Sequence, residues 1–337
     1  VTKQSILKNH DNVDYSPRKF ENPVLVYVTP WNNKGYDLAK WVSHKLTHVS
    51  PVWIQLKPQT ADKSFSCRIL GTHDIDHGWM EEVRKNNSYV KIVPRVLFDD
   101  WSPDHINQFI QHEAWMNRCL GDLINLLTRS HFDGAVIEFW SKVMIHTRGE
   151  AVNLLVEMMN SWGSTFHKRN MQFILAVGPA LNPKNQITGM LTTSHLYALA
   201  ENVDYIQMMT YDFPSTTPSG VAPYGWVEQN VNSLLDRAPP DLAIHLMLGL
   251  NHYGYEYTSD GMQAVNFDQY LKKLRQADNK LEWDANAKEH VLVTFDSKIY
   301  YPSLTSVEMR LNIARKYGIG VGIWDFGQGL NYFTQLL

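Results

Sequence analysis

An α/β fold is predicted here: a (β/α)8 TIM barrel with a small α+β insertion between the seventh strand and the last helix. Three observations carry that expectation. Apolar strand-like runs alternate with amphipathic helical stretches along almost the whole chain. The runs are continuously apolar, as parallel strands covered on both faces are. There are eight of them, the number that closes a barrel. A chain of 337 residues is long enough for one such barrel with an insertion.

Residues 1–22 are polar and read as an N-terminal arm; the barrel then occupies 23–337, with its insertion at about 254–302. The expected strands are 24–31, 49–56, 90–98, 132–140, 172–180, 203–212, 242–251 and 319–326. Helical periodicity covers 104–129, 149–169, 226–237 and 303–317. The gap between the last two strands is too long for one helix. It holds a helical piece (267–276), then "KLEWDANAKEHVLVTFDSKIYYPSL", whose alternation suggests a β-hairpin. No G-x-G-x-x-G follows the first strand, where "VTPWNNKG" stands, so a nucleotide-binding open sheet is not expected.

The net charge of −3 gives no support for a nucleic-acid partner. No apolar run approaches a membrane span. Cys67 and Cys119 lack metal-ligand spacing and fit either a disulfide or two free thiols. No cofactor or metal is implied. One sequon, Asn86-Asn87-Ser88, matters only in the secretory route.

A barrel of this kind keeps its chemistry at the C-terminal strand ends. Those ends supply Trp31, Phe98, Asp99, Asp100, Trp101, Glu138, Trp140, Met209, Tyr211, Asp212, Asn251, Tyr253 and Trp324. Aromatic faces stack on pyranose rings, and carboxylates and amides bind hydroxyls, so the set suits an oligosaccharide groove.

Four stretches make a resemblance specific. "HFDGAVIEFW" (131–140) resembles the fourth-strand signature D-G-x-D-x-D-x-E of glycoside hydrolase family 18, the chitinases. "VDYIQMMTYDF" (203–213) resembles that family's M-x-Y-D strand, and "LGLNHYGYEY" (248–257) its G-x-x-x-Y-G element. "GIGVGIWDFGQGL" (318–330) resembles its last strand, whose Trp floors the sugar site. "YVTPWNNKGYD" and "SPVWIQLK" are similar to the chitinase-domain-containing, stabilin-interacting branch of the family. That resemblance implies a secreted or lysosomal protein with a stabilin-type receptor as partner.

On the signature, Val136 takes the place of the second Asp, Glu138 the third, and Trp140 the catalytic Glu. The resemblance implies substrate-assisted hydrolysis, in which that Glu protonates the glycosidic oxygen. An indole cannot do so, and losing a general acid costs about 10²–10⁴ in rate. Alternation along a strand points residues 134, 136, 138 and 140 into the barrel. Glu138 then lies about 6.6 Å deeper than residue 140 at the usual strand rise. The expectation is a catalytically inactive lectin that binds chito-oligosaccharides. Glu138 is expected to accept hydrogen bonds from Tyr211 or Trp324, and Trp140 to stack on the ligand or plug the subsite. Tyr211, Asp212 and Trp324 match family residues that hold the sugar. The alternatives are a working glycosidase that uses Glu138, Asp99, Asp100 or Asp212 as acid, and a protein-binding scaffold.

Overall fold

The computed structural model describes residues 1–61 and 64–337. The first barrel strand, Val24–Val28, pairs in parallel with both the second (His48–Pro51, resuming as Ile54–Gln59) and the eighth (Gly320–Trp324). The third strand (Lys91–Ile92, resuming as Arg95–Phe98) follows the second. Next come Gly134–Glu138, Gln172–Val177, Tyr205–Met208 and Leu246–Asn251, each paired in parallel with its neighbour. Leu246–Asn251 pairs with the eighth strand and closes the barrel. The third strand breaks at Pro94, which has no N–H to donate to a ladder.

Two apolar layers hold the barrel. The inner one includes Leu25, Tyr27, Val136, Ile174 and Met247. The outer one seats the surrounding helices, with Phe98, Trp115, Phe139 and Trp140 among its largest members. Each such side chain fully buried is worth about 1.5–3 kcal/mol. Gly134 sets one close approach: with φ at +148°, a Cβ there would meet the Gln172 carbonyl at 2.0 Å. Gly322 makes another: a Cβ there would meet the Gln207 side chain at 2.5 Å, so its absence leaves that amide space inside the barrel.

The helix expected over 104–129 is two helices, Pro103–Phe109 and Glu113–Arg129. Local capping divides them: Ser102 accepts from His105 N–H at the first start, and His112 Nδ1 from Trp115 N–H at the second. Sequence reading also passed over a strand, Ser66–Leu70, antiparallel to the second barrel strand. Cys67 on it forms a disulfide with Cys119 of the longer helix, which resolves the open question about the thiols.

The insertion is a five-stranded antiparallel sheet rather than one hairpin. Its order is Gly261–Val265, Gly254–Thr258, Lys298–Tyr300, Glu289–Val293, Lys280–Asp284. The added hairpin starts at Gly254, directly after the seventh strand. Residues 1–22 are packed into the fold. Their helix, Lys3–Asn9, buries Ile6 in the insertion's core with Leu271 and Phe333. Asp14 accepts from the wholly buried Lys45 Nζ at 2.8 Å.

Candidate functional site

Inward-facing residues from five strands build the floor at the C-terminal end of the barrel. In register, Arg95 lies beside Val136 and Leu97 beside Glu138, so Arg95 and Glu138 point to the same interior face. Arg95 Nη1 donates to Glu138 Oε2 at 3.3 Å. The arginine's Cζ lies 5.4 Å from the centre of the Trp324 ring. Tyr27 packs on Trp324 from below, with ring centres 5.1 Å apart, and donates to Gln207 Oε1 at 2.7 Å. The side chain of Glu138 is 29% exposed and that of Arg95 12%. Arg95 thus answers why a carboxylate sits in so apolar a strand. The expected partners, Tyr211 and Trp324, do not bond it; the cation comes from the neighbouring strand. Burial holds the Tyr27 and Tyr211 phenols far above their ordinary values, so both stay neutral hydrogen-bonding groups.

Carboxylates at the rim are also matched. Lys57, at the end of the second strand, bridges Asp99 at 3.2 Å and Asp100. The hydrogen bond from Lys57 holds the Asp100 carboxyl below its usual range. Asp212 accepts from the hydroxyls of Tyr253 and Tyr255. Those phenols are raised by burial and then by the Asp212 charge. Asn251 donates through Nδ2 to the Tyr253 carbonyl at 2.9 Å and so fixes the bend that presents that tyrosine. Met209 is half-buried against the outer core. Tyr211 is buried and meets Tyr253 edge-on at 6.3 Å.

Of three tryptophans expected at the site, one keeps an open face and two depart from expectation. Trp31 lies in a short 3₁₀ turn, Pro30–Asn32, just past the first strand, and is 65% exposed. It has a face to offer. Trp101 is buried against Phe98, Phe109 and Trp115, and its Nε1 donates to the Leu56 carbonyl at 2.8 Å. It is a core residue and presents no face to a ligand. Trp140 requires the larger correction. The strand ends at Glu138, and Trp140 is the first residue of a helix, Trp140–His146. Alternation stops there, so Trp140 does not share the inward face. Its indole is fully buried, donating to the Met190 carbonyl at 2.7 Å beside His195. It neither stacks on a groove nor plugs one.

Sequence reading missed Arg95, Lys57, Tyr27, Gln207 and Tyr255. A signal existed for Arg95: it is a lone charge within "VKIVPRVLF", as Glu138 is within the next strand, and neighbouring strands can pair such charges. It also missed Asp325, a buried carboxylate that accepts from Asn32, Thr29 and the Gly327 N–H. Burial pushes that carboxyl up to about 6. A cavity of about 560 Å³ lies off the barrel axis, between the loop after the sixth strand and the insertion. Ser215, Tyr257, Met262 and Phe295 line it, with none of the expected site residues. Among the described residues, no three His, Cys, Asp or Glu side chains are grouped to hold a metal ion.

The family model described as "Glycosyl hydrolases family 18" matches residues 23–329. A chitinase from Chromobacterium violaceum superimposes with a TM-score of 0.76 at 16% identity, over 94% of this chain and 97% of that one. A spore cortex-lytic enzyme of Bacillus megaterium gives 0.74 at 14% identity, over 95% and 74%. A mutant chitinase from Cycas revoluta in complex with (GlcNAc)4 gives 0.73 at 14% identity, over 93% and 98%. At such identities the likeness speaks for the fold.

Proposed function

The chain belongs to glycosyl hydrolases family 18, and we propose that within it this protein is a non-catalytic lectin for chito-oligosaccharides. One observation carries the reading. At the position of the signature's acid stands Trp140, an indole that is fully buried at the start of a helix. The displaced-carboxylate alternative is weakened by the state of the other acids. Glu138 is paired with Arg95, Asp99 and Asp100 with Lys57, and Asp212 with two phenols. A general acid must be free to reach the leaving oxygen, and each of these carboxyl groups is already engaged by a protein donor. Trp324 and the exposed Trp31 supply stacking faces. The Cycas relative's complex with (GlcNAc)4 suggests the ligand class.

Weak binding, roughly micromolar to millimolar, is expected, because a few stacking and polar contacts must offset association entropy. Titrating tryptophan fluorescence with chitotetraose should give saturable quenching, while a reducing-end assay on chitohexaose stays flat. Sustained release of reducing ends, abolished by Glu138→Gln, would make the protein an enzyme instead.

The disulfide Cys67–Cys119 suits an oxidising compartment, and Asn86 of the sequon is exposed. Both support a secreted or lysosomal location. Among the described residues, no helix is long and apolar enough to cross a membrane. The chitinase-like resemblance adds a stabilin-type receptor as the proposed protein partner, and co-precipitation with a stabilin ectodomain tests it.

A further inference from the structure

Arg95 has more donors than the protein uses. A guanidinium carries five N–H groups. Among the described residues Arg95 makes one hydrogen bond, from Nη1 to Glu138 at 3.3 Å. That is longer than the 2.7–2.9 Å usual for a charge-assisted pair. Its Nε is buried without a partner. The Nε–Nη2 edge, on which a guanidinium takes a planar acceptor side-on, is therefore free of protein partners among the described residues. The side chain keeps 12% exposure, and its guanidinium sits beside both Glu138 and the Trp324 ring at the floor of the strand-end cleft.

The charge balance narrows which acceptor belongs there. Around this floor and rim stand the cations Arg95, Lys57 and Lys142 and the anions Glu138, Asp99, Asp100 and Asp212. There is no surplus of positive charge to receive a carboxylate or sulfate, and an anionic ligand would meet Glu138 directly. A neutral carbonyl fits better. Its oxygen offers two in-plane lone pairs to the free edge and brings no further charge into a cleft whose carboxylates already outnumber its cations. On a sugar, an acetamido group supplies such a carbonyl.

We propose that Arg95 is the specificity-determining residue of the cleft, reading the acetamido carbonyl of an N-acetylated sugar through its free guanidinium edge. Glu138 holds the guanidinium in position, and Trp324 carries the pyranose face. The inference rests on the sugar-binding reading of the cleft and states how that cleft chooses its ligand.

Calorimetric titrations of the folded protein with chitotetraose, its de-N-acetylated form, cellotetraose and tetragalacturonate test this. The wild type should prefer chitotetraose over cellotetraose by about tenfold or more, the scale of one charge-assisted hydrogen bond. Arg95→Met should shrink that preference to within about threefold, by weakening chitotetraose and leaving cellotetraose unchanged. Arg95→Lys keeps a cation for Glu138 but removes the planar edge; it should lose the preference too, and it carries the test if Arg95→Met does not fold. A merely structural role for Arg95 would weaken both neutral ligands together. Retention of the full preference in both variants overturns the inference while leaving the lectin reading intact. Preference for tetragalacturonate overturns it in favour of acidic sugars. Failure of the wild type to bind any of the four removes the underlying reading and the inference with it.

Discussion

Two glutamate–arginine pairs, each at 3.3 Å, do different work in this molecule. Under the insertion, Glu289 and Arg310 are 5% and 6% exposed. Arg310 donates there to the carbonyls of Lys288, Ser306, Ala222 and Ala287 as well as to Glu289. Glu289 accepts from the Ala222 N–H. Burial pushes the Glu289 carboxyl up, and the arginine opposes that shift. Both Nη groups of Arg310 are engaged, and the pair joins the insertion sheet, the loop after the sixth strand and the last helix, Leu304–Tyr317. At the cleft floor, among the described residues, Arg95 hydrogen-bonds only Glu138 and leaves its Nε without a partner. The same two residue types at the same separation thus give a structural lock in one place and spare hydrogen-bonding capacity in the other. Unused donors and acceptors, rather than the presence of a buried charge, separate a ligand-reading pair from a load-carrying one.

The largest expected effect breaks the lock. Arg310→Met leaves Glu289 buried without its cation and should cost about 3–5 kcal/mol. Urea unfolding measures it, and a loss under 1 kcal/mol would mean that the two pairs are equivalent.

An intermediate effect comes from Asp325, a carboxylate buried among neutral donors and, among the described residues, without an ion-pair partner. Its folded value of about 6 lies above the ~3.9 of an exposed aspartate. The folded state therefore binds this proton more tightly, and the contribution to stability falls as pH rises from about 4 through 6. Asp325→Asn should remove that slope, worth about 1–3 kcal/mol across the window. His48, lowered to about 4 by burial, acts oppositely over the same range. The readout is therefore the difference in melting temperature between variant and wild type at each pH. A difference that stays constant from pH 4 to 7 would contradict the assignment.

The smallest effect is at the floor. Glu138→Gln should change stability by no more than about 1 kcal/mol, because a partly exposed pair contributes little. A loss as large as that of Arg310→Met would make Glu138 and Arg95 a second lock.

The barrel was legible because parallel strands covered on both sides need long apolar runs, and eight of those survive in the sequence. The break between Phe109 and Glu113 was hidden, since helical periodicity runs across it and only the caps at Ser102 and His112 reveal two starts. The first hairpin of the insertion was missed because "GYEYT" reads as an extension of the strand before it. Strand-end position placed Trp31, Asp99, Glu138, Asp212 and Trp324 at the C-terminal end of the barrel, where the structure also has them. It misled at Trp101 and Trp140, because an aromatic just beyond a strand can turn outward as soon as the chain begins to coil. Arg95 was overlooked for a simpler reason: a single charge in an apolar run gains meaning only once the register with its neighbour is known.

A crystal structure of the complex with chitotetraose tests the central claim most directly. A sugar ring should lie on Trp324, with every inter-sugar oxygen beyond hydrogen-bonding reach of any carboxyl group. An inter-sugar oxygen within about 3 Å of the Glu138 or Asp212 carboxyl would contradict it, since such a group could serve as the proton donor.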